Sequence, residues 1–307
     1  MKYVVTGSTS FIGVELCRQL LNAGNEVMAV VRPGSAGITK LPKSDHLYTV
    51  LSDMRDYHLL DRQIPKADVF INLAWQGTGH EGRNVYDIQS ENIRFSEDAL
   101  HAAARMGCRL FVESGSQAEY GTVLERISEN TPEHPFSEYG RAKLHMKELG
   151  FRLSNQLRIK YLHLRIFSLF GETDHPWTLV MSSIDKMLRN ESIDLSSCTQ
   201  KWNFLYVVDA CKQIRLLTEK AIQLADYRHE VFNIASEDTR LLRDFVERMR
   251  DLTGSKSCLN YGVYTPANTV TLDPDVAKTK RYIGFINDYT FDEVVNKIIK
   301  SKKNKDD

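Results

Sequence analysis

Lys2-Tyr-Val-Val-Thr-Gly-Ser-Thr-Ser-Phe-Ile-Gly13 opens the chain with an apolar strand, a polar turn and the first turn of a helix. Ile12, Leu16 and Leu20 recur every four residues, which marks the buried face of a helical run reaching about Ala23. Gly24 is the expected stop. Glu26-Val-Met-Ala-Val-Val31 follows as the next strand. The unit is strand, glycine turn, helix, strand, the opening of a doubly wound parallel α/β sheet. The helix start aims backbone N–H groups at an anion, and Gly7 lets a pyrophosphate approach. Gly7 and Gly13 frame the turn, while Ser10 stands where a third glycine would fall in G-x-x-G-x-x-G. Serine fits there if its backbone is not left-handed, and its hydroxyl can then meet a phosphate. At the end of the second strand stands Arg32, not an acidic residue. An acid there accepts from the ribose 2′-hydroxyl of NAD, whereas an arginine pairs with a 2′-phosphate. The expected cofactor is therefore NADP, with NAD as the alternative.

A second stretch carries the chemistry. Ser137-Glu-Tyr-Gly-Arg-Ala-Lys143 places Tyr139 and Lys143 four residues apart, on one face of a helix. An ammonium near a phenol favours the phenolate and lowers the tyrosine pKa. A tyrosine so tuned passes a proton to or from a carbonyl or hydroxyl near neutral pH. Ser116 supplies a hydroxyl for the same oxygen. With 13 tyrosines in the chain, Tyr-x-x-x-Lys gains its meaning from the glycine turn upstream.

Composition excludes several classes. Lys+Arg and Asp+Glu both number 40 in 307 residues, so no global basic field argues for nucleic acid or an anionic membrane. There is no apolar run long enough to span a bilayer and no signal-peptide pattern at Met1. Five scattered cysteines without C-x-x-C fit a reduced, cytoplasmic setting, and nine histidines show no metal-ligand spacing, so no metal is expected.

Together these motifs resemble the extended short-chain dehydrogenase/reductase family, the NAD(P)-dependent nucleotide-sugar epimerases, dehydratases and ketoreductases. The resemblance runs over nearly the whole chain. Leu51-Ser-Asp-Met54 is similar to the segment after the third strand, Val69 to Ala74 to the fourth, and Arg109 to Ser116 to the fifth. Gln117-Ala-Glu-Tyr-Gly121 continues the family's Ser-x-x-x-Tyr-Gly, and Leu164 to Gly171 resembles the segment after the sixth strand. Phe204 to Ala210 and Val231 to Ile234 resemble later returns to the sheet, and Leu272 to Lys278 with Ile283 to Phe285 the C-terminal ending. The resemblance implies a Rossmann domain from 1–169 and 203–236, with a smaller substrate domain from 170–202 and 237–307. It implies Ser116, Tyr139 and Lys143 as catalytic residues. The cofactor set becomes Gly7, Ser10, Phe11, Ile12, Gly13, Arg32, Asp53, Met54, Leu73, Ala74, Trp75, Ser114, Tyr139, Lys143 and Ile166. Many relatives dimerise, so a homodimer is an open expectation.

Departures narrow the reaction. Dehydratases of the family follow this Ser or Thr with Asp-Glu, where here Gln117-Ala118 stands. Ser168 replaces a common asparagine, Trp202-Asn203 replaces Arg-Asp, and no arginine stands at Thr265-Pro-Ala-Asn268. The diphosphate clamp is thinned, which leaves Lys201 and Arg83 as substitute cations and Trp202 as a stacking surface. Gln76, Gln117 and Ser168 complete the expected substrate set, and the loop Trp75-Gln-Gly-Thr-Gly-His80 reads equally as a pocket wall or a surface turn. The first reading is an NADPH-dependent reductase of a nucleotide-linked 4-keto-6-deoxy sugar: hydride goes to C4, and Tyr139 protonates the alkoxide. The second is an NAD-dependent nucleotide-sugar 4-epimerase. A third, from another class, is a non-catalytic NADP-binding sensor.

Overall fold

The strands and helices follow the sequence pattern closely in the computed structural model, which describes residues 1–79, 81–225, 229–265 and 270–306. In chain order they are β1 (Lys2–Thr6), α1 (Phe11–Asn22), β2 (Glu26–Val31), β3 (Leu47–Leu51), α2 (Leu60–Gln63), β4 (Val69–Asn72), α3 (Tyr86–Arg105), β5 (Leu110–Ser116), α4 (Glu138–Leu157), β6 (Lys160–Ile166) and β7 (Ser168–Phe170). Then come α5 (Leu179–Leu188), β8 (Ile193–Asp194), β9 (Lys201–Tyr206), α6 (Val207–Gln223), β10 (His229–Ile234), β11 (Thr239–Leu241), α7 (Leu242–Thr253), β12 (Leu259–Asn260), α8 (Ala277–Ile283) and α9 (Phe291–Asp306).

Seven strands form one parallel sheet in the order β10-β6-β5-β4-β1-β2-β3. Both faces are covered, which is why β1, β4 and β5 read as nearly unbroken buried runs and not as alternating ones. α1 packs with α6 on one face and α3 with α4 on the other, each pair closing an apolar core against the strands. The chain runs outward through β2 and β3, then returns to start β4 on the other side of β1. Ligands of open α/β sheets bind at that reversal, beyond the carboxyl ends of the strands.

One expectation is corrected. Phe204 to Tyr206 does not return to the large sheet. β9 pairs with β7 and β11 in a separate three-stranded sheet, Ser168 opposite Phe204 and Thr239 opposite Asn203. β10 already occupies the free edge of β6, from His229 opposite Tyr161 to Ile234 opposite Ile166. Phe170, Phe204, Phe245 and Phe291 then meet with ring centroids 4.7–5.8 Å apart and fasten β9 to α7 and α9.

Candidate active site

The reversal point is tight. Gly7 adopts φ +62°, and a Cβ there would lie 2.9 Å from the Ala74 nitrogen and 2.9 Å from the Leu73 carbonyl carbon. Gly13 has no room either, since its Cβ would sit 2.2 Å from the Gly7 oxygen. Ser10, at φ −75° and ψ 170°, is the N-cap of α1, and its Oγ accepts from the Gly13 N–H at 3.0 Å. Its backbone meets the non-left-handed condition, and the oxygen expected to meet a phosphate already caps the helix. The first helical bond behind it runs from Val14 N–H to Ser10 oxygen, so Phe11 and Ile12 stand ahead of the ladder. A glycine-lined strand end facing a helix N-terminus fits the pyrophosphate of a dinucleotide.

The reacting group is assembled by another close approach. Ser137 caps α4 by accepting from Gly140 N–H at 3.0 Å. A Cβ on Gly140 would fall 2.5 Å from the Ala118 oxygen, so the first turn of α4 lies directly on the 117–119 turn after β5. That contact delivers Tyr139 to Ser116. The Ser116 oxygen accepts from Ala118 N–H at 3.1 Å, and Ser116 and Tyr139 line the same cavity. One turn further along α4, Lys143 is 1% exposed. Its Nζ donates to the Ser114 carbonyl at 2.5 Å, approaches Ser114 Oγ at 3.3 Å and lies 3.5 Å from the centre of the Trp75 ring.

The electrostatics correct the simple expectation for the tyrosine. Burial holds the Tyr139 phenol above its ordinary pKa, against the opposing influence of the Ser116 side chain and the Arg83 charge. Lys143 lies 5.9 Å from the phenol ring centre and is itself depressed by burial, to about 8. Desolvation outweighs the lysine's charge at this distance.

A cavity of about 310 Å³ opens over the pair. From the expected cofactor set it gathers Ser10, Phe11, Ile12, Leu73, Trp75, Ser114 and Ile166 beside Ser116, Tyr139 and Lys143. From the expected substrate set it takes Arg83, Gln117 and Ser168. Thr78 lines it too, from the loop that reads equally as a pocket wall or a surface turn, and so do Gly115, Phe167 and Leu169, which had no sequence signal of their own. Gly7 and Ala74 follow the ends of β1 and β4, and Gly13 lies in the first turn of α1. Arg32 is exposed at the end of β2 and pairs with no carboxylate among the described residues. Asp53 caps the turn after β3 by accepting from Arg55 N–H at 3.1 Å, with the half-buried Met54 packed against the core. Lys201 and Trp202 are not brought into the cavity. Lys201 pairs with Asp273 at 2.7 Å, and Trp202 packs on a cluster built from Tyr120, Phe167 and Leu272. The Pro266 to Asn268 part of the missing clamp lies outside the described residues, as does His80.

The loop after β4 is pinned as a wall. Gln89 on α3 accepts from the Trp75 indole at 2.8 Å and donates to the Gly77 and Gly82 oxygens at 3.0 and 2.9 Å. Asn92 brackets the Gln76 backbone, accepting from its N–H and donating to its carbonyl, both at 2.9 Å. Gln89 and Asn92 were invisible as site residues in the sequence, because polar positions early in a helix read as solvated.

Residues 3–235 match the NAD dependent epimerase/dehydratase family. The chain belongs to that family. An uncharacterised UDP-glucose epimerase of Bacillus subtilis is 24% identical over 305 residues, covering 93% of this chain and 92% of the relative. A dTDP-6-deoxy-L-talose 4-dehydrogenase (NAD(+)) of Aggregatibacter actinomycetemcomitans is 23% identical over 256 residues, 80% of this chain and 88% of its own. Among solved structures, a UDP-glucuronic acid 4-epimerase from Bacillus cereus, in complex with UDP-glucuronic acid and NAD, superposes with TM-score 0.82 at 21% identity. It covers 98% of this chain and 100% of its own. That likeness shows the shared epimerase/dehydratase fold. Within the described residues no helix is long and apolar enough to cross a membrane, and no cluster of three or more His, Cys, Asp or Glu is arranged to hold a metal ion.

Proposed function

We propose that this family member is an NADPH-dependent reductase of a keto sugar linked to a nucleotide, with a 4-keto-6-deoxyhexose as the substrate class. The observation that carries the reading is the Ser116, Tyr139 and Lys143 constellation on the wall of one cavity, beside the glycine turn of β1. Gly7, Gly13 and the start of α1 would hold the pyrophosphate, and Arg32 the ribose end. When bound, the nicotinamide supplies a hydride. Tyr139 gives its proton to the carbonyl oxygen of the substrate, and Ser116 orients that oxygen by hydrogen bonding. Lys143 offers its ammonium to ribose hydroxyls and favours the tyrosinate as the proton leaves. Arg83 faces the same space and meets negative charge on the substrate. Segments 170–202 and 237–307 form the substrate-binding part in this reading.

Two features support net reduction. Gln117 and Ala118 stand where dehydratases carry an acid/base pair, and Arg32 is free to meet the 2′-phosphate of a cofactor that cells keep reduced. The relative from Aggregatibacter, by its name a 4-dehydrogenase of a 6-deoxy sugar, supports the substrate class. A second reading, an NAD-dependent 4-epimerase, is favoured by the epimerase names among the relatives and solved structures. Incubation with NADPH and nucleotide-linked 4-keto-6-deoxyhexoses separates the two. A reductase consumes one NADPH per sugar and leaves one new hydroxyl. Interconversion of two 4-hydroxy sugars by protein purified with bound NAD, without net cofactor change, would reverse the order.

A further inference from the structure

Glu113 is a charged residue in the middle of β5, 0% exposed, between two other strands of a parallel sheet. A carboxylate so placed is costly unless it is paired. One oxygen, Oε2, accepts from Asn72 Nδ2 at 2.9 Å. The other, Oε1, has no hydrogen-bond partner and lies 3.8 Å from Lys143 Nζ. Among the described residues it is the only carboxylate within 4 Å of that ammonium. The remaining contacts of Nζ are with Ser114 and the rings of Trp75 and Tyr139, which are all neutral. Asn72 is held in turn, since Thr6 Oγ1 donates to its Oδ1 at 2.6 Å and its Nδ2 also reaches Ser96 Oγ at 3.0 Å. Leu73 and Ala74 N–H groups both point at Thr6 Oγ1, at 3.1 and 3.3 Å. A hydrogen-bonded chain therefore runs from the strand reversal at β1 and β4, across β5, toward the lysine on α4.

We propose that Glu113 is a positioning residue that keeps Lys143 charged, and through Lys143 sets how readily Tyr139 exchanges its proton. Nothing else in the pocket does this as directly. Glu119 lies on the turn after β5, but it is already committed to His163 on β6 at 2.9 Å and to Arg165 at 2.8 Å, and it takes the Ser116 N–H at 2.8 Å. Its field adds to that of Glu113 at Lys143. The other charged or titratable groups near the pair are Tyr139 on α4, Tyr161 and His163 on β6, and Arg165. α3 contributes only the neutral Ser96, and β4 only Asn72. Burial pushes Lys143 down and Glu113 up, to about 8 and about 7, and each restrains the shift of the other. Remove the carboxylate, and burial acts on the ammonium unopposed by its nearest partner.

The inference rests on Lys143 and Tyr139 being the reacting pair, but its test does not need turnover. Trp75 reports on Lys143, whose Nζ lies over its ring. Intrinsic fluorescence of the ligand-free protein is followed from about pH 6 to about pH 10, around the depressed lysine. The transition missing in Lys143→Met belongs to Lys143. In Glu113→Gln, which keeps volume and the Asn72 contact, that transition is expected to move toward acid by at least about one pH unit. An unmoved transition would overturn the proposal, whatever happened to activity. If Glu113→Gln does not fold, the double variant with Lys143→Met decides. Recovery of folding when both charges are removed supports the coupling. A double variant no more stable than Glu113→Gln alone overturns it.

Discussion

The Arg83 guanidinium carbon lies 4.3 Å from the centre of the Tyr139 ring, and the Arg83 carbonyl accepts from Tyr139 N–H at 2.9 Å. The loop after β4 and the first turn of α4 are thereby one wall, and a cation stands beside the proton donor. Arg83 pairs with no carboxylate among the described residues; its Nη1 reaches only the Thr78 carbonyl, at 3.4 Å. Its charge is therefore available to an anionic part of a substrate. Arg83→Ala is expected to raise KM for nucleotide-linked substrates at least about tenfold, because a charge-assisted hydrogen bond contributes about 1.5–3 kcal/mol. Arg83→Lys should fall between, keeping the charge but losing the planar stacking. Steady-state kinetics that left KM untouched in Arg83→Ala would remove Arg83 from the substrate site.

Tyr139→Phe deletes one oxygen and leaves the ring that packs edge-on against Trp75, with centroids 6.2 Å apart. Turnover should fall by about 10² or more while the protein keeps its fold. NADPH affinity should stay within a few-fold, since the glycine turn and α1 lie elsewhere on the cavity wall. Titration calorimetry with NADPH, beside an absorbance assay, checks both. Tight NADPH binding by wild-type protein that turns over no keto-sugar nucleotide would favour the sensor reading.

The parts of the fold that local pattern controls were legible. The glycine turn, the four-residue spacing in α1 and the buried runs of β1, β4 and β5 each announce an element from a few adjacent residues. Tyr139 and Lys143 were legible for the same reason, being one helical turn apart. What could not be read depends on partners far along the chain. Lys201 looks like a free cation until Asp273, 72 residues away, takes it. Trp202 looks like a stacking platform until it meets Tyr120, Phe167 and Leu272. The rise in the Tyr139 pKa depends on packing depth, which spacing does not encode. Glu113 did leave a signal, an acid inside Leu-Phe-Val-Glu-Ser, because a charge in a buried strand has to be paired.

Arg32 carries the expectation of NADPH over NADH. It is exposed at the end of β2, near the turn where Thr9 Oγ1 and Ser35 Oγ lie 3.4 Å apart. An arginine free of carboxylates can meet a 2′-phosphate with charge-assisted hydrogen bonds contributing about 1.5–3 kcal/mol. Wild type should bind NADPH at least about tenfold more tightly than NADH, and Arg32→Asp should reverse the order. Equal dissociation constants for the two cofactors in wild type would return NAD to first place and bring the epimerase reading with it.

Acid stability should be set by the buried network behind Ser116. Glu119 is 0% exposed, and burial alone would raise its pKa, but His163 and Arg165 outweigh that and hold it at about 2. His163 is lowered by burial, against the attraction of Glu119. Both groups bind protons less readily folded than unfolded. As pH falls below about 6.5, the unfolded chain takes up a proton on His163 that the fold resists, and the contribution of His163 to stability declines, against an opposite contribution from Glu113, whose raised pKa makes the fold bind its proton first. Below about 4.5 the unfolded chain also protonates Glu119, and the decline steepens toward pH 2. Each proton bound only by the unfolded chain changes stability by about 1.4 kcal/mol per pH unit. His163→Gln keeps a donor for Glu119 but does not titrate, so it should flatten the first decline, and by removing the His163 charge it should also shallow the second, leaving Arg165 to hold Glu119 down. Gly115 must stay glycine in this comparison, because a Cβ there would lie 2.3 Å from His163 Nε2 and 2.7 Å from Glu119 Oε1. Urea unfolding midpoints between about pH 7 and about pH 4 read the slopes directly. A His163→Gln curve parallel to wild type between about pH 6.5 and about pH 5 would show that another group carries the first step.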